Sequence, residues 1–309
     1  MEKRYIIGID IGGTNVRIGA VDQDLQIKAL DKVREKEVFS GENTIPELIR
    51  FIEAFIEKYE LAGNIEAISA GFPATINQKR TGVIQAPNVR GMDDMEVAAP
   101  LRAHFGVPVF VNRDVCMALY YDTRKYQIPS EGILIACYIG TGIGNVISIN
   151  GEHVIGKDGT SGELGHIPVV GNLEPCGCGN YGCIDNVAAG VYLARLQQET
   201  YPDTPIEELF TRHREESLLR EAVNNMAIAV ATEINILNPH YIVLGGGVLA
   251  MQDFPTDYLE ERIRFYTRKP LPEQTLEIIY ATDDREKGAV GAVLYARKML
   301  EQMNYRLGI

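Results

Sequence analysis

Three cysteines, Cys176, Cys178 and Cys183, fall within eight positions, and His166 stands ten residues before the first of them. No other group of residues constrains the path of this chain so tightly. One imidazole and three thiolates make a closed tetrahedral set, the usual shell of structural zinc. Gly177, Gly179 and Gly182 let the backbone turn sharply enough to aim three sulfurs at one point. Ordinary core cysteines rarely cluster with this spacing. A disulfide would leave one thiol of the three over, in a chain without the marks of secretion. Glu163 and Asp185 bracket the knot. A metal here would hold a loop whose two ends present carboxylates.

The chain has 309 residues, about the length of two domains. With 46% hydrophobic residues it has material for packed cores and is not disordered in composition. Only three apolar residues follow Met1-Glu2-Lys3-Arg4 before Gly8, so no signal peptide is expected. The longest apolar run, Ile133 to Ile139, is too short to span a bilayer. A cytoplasmic protein with reduced thiols and no membrane partner is the expectation. Net charge is −12. That balance argues against nucleic acid, which needs clustered lysine and arginine to neutralise phosphate. An anionic nucleotide would instead need glycine-rich backbone loops and a divalent cation.

The chain opens as strand, turn, strand. Tyr5 to Ile9 is apolar and β-branched, and Asp10-Ile11-Gly12-Gly13-Thr14 is a turn. Val16 to Val21 and Leu25 to Val33 alternate as half-buried strands do. Ile45, Leu48, Ile49, Ile52, Phe55, Ile56 and Tyr59 recur at helical spacing, with Thr44 the expected cap and Pro46 in the first turn. Ile65 to Ala70 reads as a strand. So does Val107 to Val111, which leads into Asn112-Arg113-Asp114-Val115 and a helical pattern. Strand Ile133–Tyr138, the turn Gly140-Thr141-Gly142-Ile143-Gly144 and strand Val146–Ile149 repeat the opening unit, and both units rejoin at Asn-Val. The repeat suggests duplicated halves. Leu218 to Leu237 reads as a long helix stopped near Asn238-Pro239. Tyr241 to Leu244 reads as a buried strand before Gly245-Gly246-Gly247, and Lys287 to Met299 as a last helix. Strands and helices mixed throughout indicate α/β.

The run Gly165-His166, a spacer, then Cys176-Gly177-Cys178-Gly179-Asn180-Tyr181-Gly182-Cys183-Ile184-Asp185 resembles the zinc motif of the ROK family of repressors and sugar kinases. Asp185 stands where that family usually has glutamate. The two glycine hairpins and the third glycine turn resemble the phosphate-1, phosphate-2 and adenosine segments of the actin, hexokinase and Hsp70 superfamily. The resemblance covers Asp10 to about Gly291. It implies an α/β, ribonuclease H-like kinase in which two similar domains close on a nucleotide across a cleft. The expected division is residues 1–118 and 119–309, with the last helix packing back on the first domain. A homodimer is the assembly it suggests.

The resemblance also assigns roles. Asp10, Gly12, Gly13 and Thr14 would form the first phosphate turn, with bare glycine N–H groups near phosphate oxygens and Asp10 holding magnesium through water. Thr141 and Gly142 would contact the γ-phosphate side, and Gly245, Gly246 and Gly247 the adenosine. Asn145 stands where the family usually has a small residue. Asp114 would be the base that takes the proton of the acceptor hydroxyl; a helix cap is its structural alternative. Asn88, Asn112, Arg113, Glu163, His166 and Asp185 would line the sugar, and a carboxylate such as Glu163 can accept two hydroxyls at once. His166 would also join Cys176, Cys178 and Cys183 on the zinc. His104 and His240 read as structural or surface residues, and Cys116 and Cys137 as buried bystanders.

Asn112-Arg113-Asp114-Val115, Gly71-Phe72-Pro73-Ala74 and Arg268-Lys269-Pro270-Leu271-Pro272 resemble the branch of that family that acts on D-allose. The implied reaction is transfer from ATP to the 6-hydroxyl of an aldohexose. Glucose, fructose or N-acetylmannosamine is the alternative acceptor. A sugar-responsive repressor of the same family would carry a DNA-binding domain ahead of Asp10. A sugar-binding or zinc scaffold without catalysis would not need Asp114.

Overall fold

The computed structural model describes residues 4–86, 89 and 91–307. These divide into two compact units. One holds the described residues up to Ile128, with Ile155–Thr160 and those from Asp284 on. The other holds Pro129–Val154 and Ser161–Asp283.

The first unit is built on a five-stranded sheet. Its strands are β1 (Tyr5–Ile11), β2 (Asn15–Asp22), β3 (Ile27–Arg34), β4 (Ile65–Phe72) and β5 (Val109–Arg113), in the order β3-β2-β1-β4-β5. The first three are antiparallel neighbours; β4 runs parallel to β1, and β5 parallel to β4. Strands β1 and β4 are apolar along nearly their whole length, because helices cover a mixed sheet of this kind. Helix α1 (Thr44–Lys58) buries Leu48, Ile52 and Phe55 in this unit's core. Thr44 is not its cap. It is the first helical residue, and its hydroxyl donates to the Gly91 carbonyl at 2.7 Å, a tertiary bond that sequence spacing does not announce. Helix α2 (Ala98–Phe105) leads into β5, and α3 (Asp114–Lys125) follows β5 directly.

Helix α3 is why the first unit extends to Ile128 rather than to residue 118. The helix runs unbroken through that position and packs on the last helix, α4 (Lys287–Leu307), which belongs to the same unit. That packing is backbone-close. A Cβ at Gly291 would collide with the Met117 carbonyl, and one at Gly8 with the Ala289 carbonyl. Glycine at both places lets α4 lie directly on α3 and β1. The buried pair Lys287–Asp122, at 2.9 Å, fixes the start of α4.

The second unit repeats the first in topology. Strands β6 (Ile133–Ile139), β7 (Ile143–Ile149), β8 (Glu152–His153), β9 (Tyr241–Gly245) and β10 (Ile278–Tyr280) lie in the order β8-β7-β6-β9-β10. Again the first three are antiparallel, and the last two run parallel to the strand before them in that order. The shared order shows that the two glycine hairpins open equivalent sheets. Helices α5 (Gly190–Glu199), α6 (Ser217–Leu237) and α7 (Thr256–Tyr266) supply this unit's core, with Val223, Met226, Val230 and Ile234 of α6 fully buried. Asn238, with φ of 46°, caps α6 in the left-handed conformation that asparagine tolerates. No helix among the described residues is long and apolar enough to cross a membrane.

Candidate active site

In the first unit, the turn between β1 and β2 is closed by the Gly12 N–H donating to the Asn15 carbonyl at 2.9 Å. Gly13 and Thr14 are exposed at its tip. Asp10 lies directly across from Arg17 in the β1–β2 register, and Arg17 Nη1 donates to Asp10 Oδ2 at 3.0 Å. Gly288 at the start of α4 abuts the Asp10 carboxyl so closely that any side chain there would strike it. Asp10 is therefore held by a cation on one side and by a helix N-terminus on the other.

Strand β5 delivers the Asn112-Arg113-Asp114 segment. Asn112 is buried and its Oδ1 accepts the Arg113 N–H at 2.9 Å. Asp114 is the first residue of α3, and its Oδ1 accepts the Val115 N–H at 2.8 Å. Gly71 on β4 lies against it; a Cβ there would stand 3.2 Å from the Asp114 Cα. Burial, and then the nearby Asp10 charge, push the Asp114 carboxyl up to about 7. A carboxylate with that poise can be ionised at neutral pH and still accept a proton.

Arg80 belongs with this segment and was not expected from the sequence. Its Nη1 is buried without a hydrogen-bond partner. Burial lowers its pKa; Cys116, Tyr295, Arg113 and Tyr120 lie within electrostatic reach. Asn88 lies outside the described residues.

In the second unit, the Gly140–Gly144 turn joins β6 to β7, with Gly140 N–H donating to the Gly142 carbonyl at 2.9 Å. The N-terminus of α5 seats this turn. The Gly190 N–H donates to the Gly140 carbonyl and the Val191 N–H to the Thr141 carbonyl, at 2.8 and 3.0 Å. A Cβ at Gly190 would lie 2.5 Å from the Gly140 oxygen, so only glycine fits. Gly190 carries no motif signal in the sequence. Gly246 has φ of 98°, and its Cα lies over the Ile139 backbone at the end of β6. This brings the triple-glycine turn beside the glycine hairpin.

The knot follows in the same unit. The ligating atoms of His166, Cys176, Cys178 and Cys183 all lie within 4.8 Å of one another. Cys178 and Cys183 sulfurs are 3.7 Å apart, as are the Cys176 sulfur and His166 Nδ1. Zinc–sulfur bonds of about 2.3 Å at the tetrahedral angle place sulfurs about 3.8 Å apart, so the set fits zinc. Burial and the two neighbouring sulfurs push the Cys183 thiol up to about 12, a mutual repulsion that a dication would reverse. His166 turns Nδ1 toward the knot and Nε2 toward Glu163 Oε2, 3.7 Å away. A metal-facing imidazole oriented by a carboxylate is a common outer-shell arrangement. Asp185, the other carboxylate expected at the sugar, accepts the Ile143 N–H through Oδ1 at 2.8 Å. Its carboxyl also lies against Gly142 and Gly165. Burial raises its pKa.

Each unit thus carries a strand–glycine–strand turn, and the carboxylates divide between them: Asp10 and Asp114 in the first, Glu163 and Asp185 in the second. Two such sheets, each opened by a glycine hairpin, make the actin/hexokinase-like fold. A ROK glucokinase from Streptomyces griseus, solved with glucose and AMPPNP, matches that fold with a TM-score of 0.78 at 24% identity, over 95% of this chain and 99% of that one. An N-acetyl-D-glucosamine kinase of Haemophilus influenzae is 30% identical over 278 residues, 83% of this chain and 86% of that protein. A glucokinase of Thermotoga maritima is 27% identical over 312 residues, 94% and 97% of the two chains. The model of the ROK family matches residues 6–299, and the chain belongs to that family, among its sugar kinases.

Proposed function

We propose that this protein transfers the γ-phosphoryl group of ATP to the 6-hydroxyl of an aldohexose, and that the hexose is D-allose. The observation that carries the kinase chemistry is Asp114, a half-buried carboxyl at the first turn of α3 with its pKa raised to about 7. As the sugar oxygen bonds to the γ-phosphorus, the bond from that phosphorus to the ADP oxygen breaks. The hydroxyl proton passes to Asp114. The Gly13 N–H and the backbone N–H groups of the Thr141-Gly142 turn suit phosphate oxygens, while the Gly12 N–H closes its own turn on Asn15, and Gly245-Gly246-Gly247 suits close approach of a nucleotide. Magnesium bound with ATP would neutralise phosphate charge, and Asp10 is the residue that would hold it through water. Zinc on His166, Cys176, Cys178 and Cys183 would fix the knot, and through His166 the carboxylate of Glu163.

The choice of D-allose rests on the Asn112-Arg113-Asp114-Val115, Gly71-Phe72-Pro73-Ala74 and Arg268–Pro272 runs. An N-acetylated hexosamine is the second reading, favoured by the Haemophilus relative. An ATP-consumption screen over aldohexoses, ketohexoses and N-acetylhexosamines tests both. The highest kcat/KM is expected with D-allose. A tenfold preference for glucose or an N-acetylhexosamine would remove the allose assignment and leave the kinase. Failure with every hexose, in magnesium and ATP, would remove both.

A further inference from the structure

Asn145 and Glu233 form a buried polar pair that the chemistry above does not use. Asn145 lies on β7 and is 1% exposed; Glu233 lies on α6 and is 6% exposed. The Asn145 Nδ2 donates to Glu233 Oε2 at 2.7 Å and to the Ala136 carbonyl at 3.1 Å. Two acceptors on one amide nitrogen fix the rotation of the side chain, so Oδ1 faces the opposite way.

On that side lies Gly162. A Cβ on Gly162 would stand 2.7 Å from the Asn145 carbonyl oxygen and 2.9 Å from its Oδ1. Gly162 has φ of 81°, a conformation that favours glycine, and Glu163 is the next residue. The chain from α6 to Glu163, the carboxylate expected to face the sugar, is therefore short: Glu233, Asn145, Gly162, Glu163. A buried carboxyl and amide are costly where apolar side chains of similar size would pack, so the pair calls for a purpose.

We propose that Asn145 is a positioning residue: anchored by Glu233, it seats Gly162 and so sets the place of Glu163 toward the sugar, a role that rests on the kinase reading above. It acts through Glu163 and touches no substrate itself.

The test compares Asn145→Ala, Glu233→Leu and Glu233→Gln in the full-length, zinc-loaded protein. Asn145→Ala and Glu233→Leu should each raise the hexose KM roughly tenfold, while kcat and the ATP KM move less than about threefold. Glu233→Gln keeps an oxygen acceptor for Nδ2 and should stay within about twofold of the parent. Amide hydrogen exchange over residues 162–166 gives a readout independent of turnover. It should quicken in the first two variants and not in the third. Equal rises in the hexose and ATP KM would overturn the proposal, since they would mean only a weakened hairpin. Unchanged exchange at 162–166 in both Asn145→Ala and Glu233→Leu would overturn it too. If the parent phosphorylates no hexose, the kinase reading fails, and local exchange alone decides whether the pair anchors the loop.

Discussion

The Asp185 carboxylate accepts the backbone N–H of Ile143 at 2.8 Å, so the residue that follows the metal knot holds the first residue of β7 beside the glycine turn. Its aspartate length matters. The carboxyl is wedged against the Cα atoms of Gly142 and Gly165, where one more methylene would force a shift. Asp185→Ala should therefore raise the ATP KM roughly tenfold, through loss of a charge-assisted bond. Asp185→Asn keeps an oxygen acceptor and should be milder. Steady-state kinetics with ATP varied, together with exchange at the Ile143 amide, check the order Ala worse than Asn.

Asp114→Asn should fold and bind sugar while turnover falls by at least about 10²-fold, because the proposed base for the acceptor hydroxyl is removed. In the parent, kcat/KM should climb with pH and level off above about 7, where Asp114 is ionised. A profile flat from pH 5.5 to 8 would remove Asp114 as the base.

Stability should show the opposite trend with pH. Among the described residues no cation pairs with Glu233; burial pushes its carboxyl up to about 7, with Cys137 and Asn145 as its hydrogen-bonding neighbours. A carboxyl whose folded pKa exceeds its unfolded value binds more protons when folded. Its contribution is fully present below the unfolded value and is lost as pH rises through about 7. Glu233→Gln should thus be nearly neutral at pH 4 and raise Tm at pH 8.5, by about 2–4 °C for each kcal/mol gained. Thermal melts of parent and variant at the two pH values give the comparison.

The purified protein should carry one zinc per chain. Cys178→Ser should lose the metal and destabilise the second unit, and activity should fall with it as Glu163 loses its orientation through His166. Elemental analysis that finds no zinc in protein prepared without chelator would count against the site.

Gly190→Ala should damage the glycine turn of the second unit without touching it directly. The new methyl would press on the Gly140 carbonyl oxygen, 2.5 Å from the built Cβ, and push apart the α5 N-terminus and the turn. Overpacking of this kind costs about 1–3 kcal/mol. A Tm below the parent's, together with a raised ATP KM, is the expected result.

The two glycine hairpins and the His–Cys cluster could be read from the chain alone, because their signals are local. Strand, glycine turn, strand is a contiguous pattern, and the matching β3-β2-β1-β4-β5 and β8-β7-β6-β9-β10 orders show that the repeat of Ile11–Val16 in Ile139–Val146 reflects equivalent sheets. The four metal-facing residues lie within eighteen positions of one another, His166 to Cys183, so spacing sufficed to group them. Only the tertiary structure decided which distant residues hold these segments in place. Thr44 bonds Gly91, Gly288 meets Asp10, Gly190 meets Gly140, and Asn145 reaches Glu233 across 88 positions. It also decided that Asp185 serves the hairpin, and that α3 belongs whole to the first unit. The physical reason is common to all of them. Periodicity reports which face of an element is buried, but the partner on the other side is fixed by sheet order and helix packing, and a bond between residues far apart in sequence leaves no pattern in either stretch.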